Sequence, residues 1–158
     1  MVISIIQILI FVSYITFIVS KFGVLSSISE SWYRLEDYKK NLGILFTFFC
    51  WGIGFLMPFH TIGDTGWFVG SGAGLVFVGA ATMFKSTAAH TNIVHMVGAA
   101  MCIIMGFLGI GFQYHQWYPL IMFVVSSIPL YLFVKKNRTW WIEILAFVSI
   151  GVGLILIS

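Results

Sequence analysis

Charge is what this chain lacks most. Lys, Arg, Asp and Glu make up 8% of its residues, against roughly 25% in soluble domains. That is too little to cover a water-facing surface. With 60% hydrophobic residues and a mean hydropathy of +1.04, the chain falls in the membrane class. Cysteine is almost absent. Cys50 and Cys102 both sit inside apolar runs, which excludes a disulfide framework and reads as two buried small hydrophobes. No basic cluster exceeds the KKNR of Lys135 to Arg138, so the net charge of +3 is read as a topology signal and nucleic acid is excluded as a partner. The first apolar run has no basic n-region and no A-x-A site, so it is read as a retained helix and not a signal peptide. Mid-span lysine is lacking, which excludes a retinal Schiff base. His95 is the one histidine well inside a run, which argues against bis-histidine haem. The scarcity of mid-membrane charge argues against a channel or pump.

What is present is a series of long apolar runs. A bilayer core of about 30 Å needs about 20 mostly apolar residues per spanning helix. Spans are predicted at about 2–20, 42–59, 67–84, 93–112, 118–134 and 140–157. The expected fold is therefore an all-α integral membrane protein, a six-transmembrane-helix bundle forming one polytopic domain over 1–158. Lys21, Arg34, Lys39 and Lys40 fall between spans one and two, Lys85 between three and four, and Lys135, Lys136 and Arg138 between five and six. The positive-inside rule then puts those loops in the cytoplasm and both termini on the non-cytoplasmic side.

The polar stretch SSISESWYRLEDYKK, Ser26 to Lys40, interrupts this pattern. Ser27 to Glu30 fits a capping box, with the serine on the amide three residues on and the glutamate reaching back. Ile28, Trp32 and Leu35 recur at i, i+4 and i+7, opposite Glu30, Arg34 and Asp37. An interfacial amphipathic helix over about 28–38 is predicted, with a reactive serine cluster as the competing reading. Gly66, Gly70 and Gly74 form a double G-x-x-x-G, read as intrachain packing first and a homo-oligomer face second.

Ionisable groups inside the spans are the default functional candidates. His95 shares a helix face with Ala99, Cys102 and Gly106, and Glu143 lies at a matching depth on the same side. The two are proposed as inner polar groups of a ligand site with Ser27, Ser29 and Arg34 at its mouth. The competing structural readings are a neighbouring carbonyl for His95, and for Glu143 a first-turn acid behind a Thr139 cap. On the other side, His60 and Asp64 in FHTIGDTGW and His115 in QYHQWYP supply metal-ligand types if the two loops meet. Polar residues in water-facing loops are the simpler reading.

The order SISESWY, FVGAATMFK, VHMVGA resembles a small multi-span membrane-protein family of Bacteroidetes-type bacteria and their phages. The resemblance covers roughly Ser26 to Ala100, and its matching positions are Ser27, Ser29, Gly79, Lys85 and His95. It implies a fold and a viral or prophage source, in a host cytoplasmic membrane or the membrane of a lipid-containing virion, and implies no reaction. A second comparison is with ceramidase-like membrane hydrolases, which use serine, aspartate and histidines around zinc. This chain lacks their late H-x-x-x-H pair and is one span short of their seven. The reading is thus a non-catalytic multi-pass component, structural or accessory, or a binder of membrane lipid or a small apolar ligand, with no cofactor expected. A metal-dependent hydrolase and a small transporter are the alternatives.

Overall fold

The computed structural model describes residues 1–63, 65–81 and 88–158, with backbone only for 88–92. Asp64 and Lys85 lie outside the described residues, and so does the side chain of His90. Among the described residues the chain is all-helical and has no strand: α1 Val2–Phe22, α2 Glu30–Tyr38, α3 Ile44–Gly54, α4 Trp67–Ala81, α5 Ala88–Leu108, α6 Tyr118–Phe133 and α7 Arg138–Leu156. A 3-10 turn, Met57–His60, follows α3, and a π-helical turn, Gly109–Gln113, follows α5.

The expectation of six spans is met only in the coarser sense of a helical bundle. Three segments, Val2–Phe22, Ile93–Gln113 and Arg138–Leu156, are long and apolar enough to cross a membrane, which points to membrane association. Ile44–His60, Trp67–Ala81 and Tyr118–Phe133 are apolar but shorter. The α-helical hydrogen bonding of α3 stops at Gly54 and gives way to the 3-10 turn. Pro58 has no N–H to continue the ladder. Residues 82–84 of the expected third span lie outside the described residues.

Five helices form a closed circuit. α4 lies between α3 and α5, α5 meets α7, α7 meets α1, and α1 meets α3, while α6 packs on α7 from outside. Glycine makes the tightest seams. A side chain on Gly74 would lie 2.6 Å from the Gly98 carbonyl oxygen and 2.7 Å from the Cys102 nitrogen, both backbone atoms of α5. Gly72 meets the Gly54 backbone of α3, and a Cβ on Gly79 would come within 2.8 Å of Cys50 Cβ. Gly70 and Gly74 are buried against α5, whereas Gly66 has open space around it and precedes α4. Gly70 and Gly74 of the G-x-x-x-G stripe therefore pack inside one chain, as helix pairs in lipid do through small residues.

The two ends of the circuit are tied differently. At one, Ser4 in α1 donates to the Leu154 carbonyl (3.2 Å) and shares a hydrogen bond with Ser158 (2.7 Å). At the other, the segment between α1 and α2 is clasped by the start of α7. Asn137 Nδ2 donates to Val24 O (2.9 Å), Trp140 N to Ser26 O (3.0 Å), and Ile28 N to Glu143 Oε2 (2.5 Å). Lys21, Lys39 and Lys40 thus share an end with Lys135, Lys136 and Arg138.

α2 is amphipathic as expected, but its apolar face is covered by protein. Ile28 and Leu35 are buried in the main core with Tyr14, Ile18, Phe46 and Trp140, and Ser31 is hydrogen-bonded to Tyr14 (2.6 Å). The capping box forms with a one-residue change. Ser27 Oγ accepts from Glu30 N (3.1 Å), while the Glu30 carboxylate reaches back to the amide and hydroxyl of Ser26, both at 2.7 Å.

Candidate functional site

Within the circuit of helices lies a partly open cavity of about 260 Å³. Its wall is nearly all hydrocarbon: Ile8 and Phe11 of α1, Phe46, Phe49 and Ile53 of α3, Leu75 and Val78 of α4, Ala146, Phe147 and Ile150 of α7. From Glu143 to Leu154, both in its wall, α7 advances eleven residues, about 16 Å at 1.5 Å per residue. The cavity is therefore long and narrow.

Its polar groups are few and grouped. At the α2 end stand Ser29, His95 and Glu143. The helical face inferred for His95 is the face that lines the cavity, since Ala99 and Cys102 line it too. α5 starts at Ala88, which puts His95 two turns into its helix. Glu143 lies in the second turn of α7, whose first turn carries no acid. The residue preceding α7 is Asn137 in the left-handed region (φ 55°), with no side-chain cap bond. The Thr139 cap and first-turn dipole account of Glu143 is thus replaced by a hydrogen bond: its Oε2 accepts the Ile28 amide, and its other oxygen has no hydrogen-bond partner among the described residues. The His95 ring likewise has none among them.

The proposed mouth residues separate. Ser29 lines the cavity, and its hydroxyl pairs with that of Ser27 (3.0 Å). Ser27 is occupied in capping α2. Arg34 turns outward and pairs with Glu30 at 2.7 Å, on an exposed surface. The Ser26 hydroxyl and amide, with Arg34 beside them, hold the Glu30 carboxyl below the usual carboxylate range.

At the opposite end the two loops of the metal reading do meet, but around backbone and amides. The His60 carbonyl accepts from Tyr114 OH (2.7 Å) and Gln113 Nε2 (3.2 Å), and Thr65 donates to Gln113 Oε1 (2.8 Å). The His60 ring is buried, with Nε2 on Gln7 Oε1 at 2.9 Å. His115 is exposed, with a left-handed backbone (φ 56°). Among the described residues no three His, Cys, Asp or Glu side chains come together. The Gln7–His60 pair was missed in the sequence, although a lone mid-span glutamine signals that a partner is needed.

Other mid-span polar groups close on carbonyls. Thr47 donates to Gly79 O (3.0 Å) and Ser71 to Cys102 O (2.8 Å). Gly79 thus serves a helix seam. No family model matches the chain, and neither the curated proteins nor the solved structures give a match.

Proposed function

We propose that the chain is a six-span, non-catalytic membrane protein that holds a small apolar or amphipathic molecule in its central cavity. The observation that carries this is the cavity itself: about 260 Å³, hydrocarbon-walled, with its ionisable groups at one end. Ligand sites have this make-up, a mostly apolar wall with a few placed polar groups, and begin at roughly 300 Å³. The size suits a small occupant.

Six spans are supported by three long and three shorter apolar helical segments, the shorter ones crossing with local bilayer thinning. A lipid-facing exterior is supported by large exposed apolar side chains such as Leu9, Phe48, Phe77 and Phe133. Basic residues at the α2 end support a cytoplasmic assignment for that end, and the Ser4–Ser158 bond supports both termini being on the far side.

The test is native mass spectrometry of the full chain extracted in mild detergent, beside an Ala99→Phe variant that fills the cavity. The wild type should carry about one small lipid-like adduct per chain, lost in the variant while helical content is unchanged. A wild type without adduct, or an adduct that the filled cavity retains, overturns the reading.

A further inference from the structure

We infer that the cavity selects a single-chain amphiphile whose head is a non-anionic hydrogen-bond donor, an alcohol or an amine, seated at the end that Glu143 and His95 line. This rests on the reading that the cavity is a binding site, and adds the class of ligand.

The shape sets the tail. About 260 Å³ drawn out over about 16 Å of helix accommodates one hydrocarbon chain and not a fused ring system. Among the described residues, no polar group other than small hydroxyl, thiol and thioether groups and Gln7 interrupts the wall beyond Glu143 and His95. Gln7 is already committed to His60, the Ile53 carbonyl and Met57.

The unspent hydrogen-bonding capacity sets the head. Among the described residues, Glu143 uses one oxygen on Ile28 and keeps the other, and His95 keeps its ring nitrogens. A hydroxyl can donate to the carboxyl oxygen or accept from the imidazole N–H. An amine donates to both acceptors. A fatty-acid carboxylate or a phosphate would share the site with a second acid, Glu143, and two acid groups side by side oppose each other's ionisation.

The route is lateral. Val12 of α1 and Val148 of α7 line the cavity and are also exposed on the outer surface, 51% and 43%. Beside them on the α1–α7 seam, Gly151 faces Ile8 with room for a methyl group, since a Cβ added there would lie 3.6 Å from Ile8 Cγ1. An amphiphile dissolved in the bilayer reaches the site through this seam.

The test uses four probes of one chain length: dodecane, 1-dodecanol, dodecylamine and dodecanoate, each titrated against the full chain in nanodiscs at neutral pH and read by native mass spectrometry. Dodecanol and dodecylamine should bind at least about tenfold tighter than dodecane and dodecanoate. Glu143→Gln, which keeps an acceptor for Ile28, should lose the preference for the amine and keep that for the alcohol. Dodecanoate binding as well as dodecanol, or all four binding alike, overturns the inference and leaves the cavity reading standing. No binding of any probe overturns the cavity reading itself. If the variant misfolds, the wild-type affinity ratios still separate these outcomes.

Discussion

The Ile28 amide donates to a carboxylate 115 positions along the chain, and Ile28 is itself buried. A buried amide stripped of its acceptor costs about 1–3 kcal/mol. Glu143→Ala should therefore lower the unfolding free energy in detergent by that much, and Glu143→Gln, with an acceptor oxygen still in place, by far less; equal losses would remove the acceptor role. Ser149 is the opposite case: it is fully buried, and its hydroxyl has no partner among the described residues. Ser149→Ala removes an uncompensated polar group and should raise stability by about 1 kcal/mol in the same assay. His95 and Glu143 were legible as candidates because ionisable residues inside apolar runs are conspicuous. The Ile28 bond was not legible, because nothing local to Glu143 specifies a partner on a segment so remote in the chain, and the residues beside it suggest a helix-end role instead.

At the scale of elements, the helix seams and the α2 cap hold the bundle in register. Gly74 faces α5 backbone, which cannot rotate away as a side chain can. Gly74→Ala should cost about 1–3 kcal/mol by overpacking, while Gly66→Ala, in open space, should cost little; detergent unfolding of the two variants compares them directly. α2 depends on Glu30, whose carboxyl is held below its ordinary range by Ser26 and then Arg34. A depressed carboxyl contributes stability above its unfolded pKa, and loses it as pH falls through the folded value. The fluorescence of Trp32 should therefore report loosening of α2 at acid pH, and Glu30→Gln should loosen α2 at neutral pH and flatten that acid limb. The amphipathic period of α2 was legible because 3.6-residue spacing is written locally. That its apolar face meets Tyr14 and Trp140 and not lipid was not legible, since both surroundings ask for the same residues.

For the whole molecule, the long apolar runs announced the helices, and glycine spacing announced which helices approach closely. The circuit α1, α3, α4, α5, α7 was not written in any one segment, because it depends on contacts between helices remote in the chain. Cysteine placed at Lys136 and at Ser158 tests the proposed sidedness: the first should be labelled only from the cytoplasm, the second only from outside, and labelling of Ser158→Cys from the cytoplasm reverses the orientation. The closure of the circuit has a further consequence for biogenesis. α1 emerges from the ribosome first of the seven helices and α7 last, yet each is the other's neighbour in the wall. On the proposed reading, the interior is an open trough facing the bilayer until α7 arrives, so an occupant already dissolved in the surrounding lipid can be enclosed as the last helix docks.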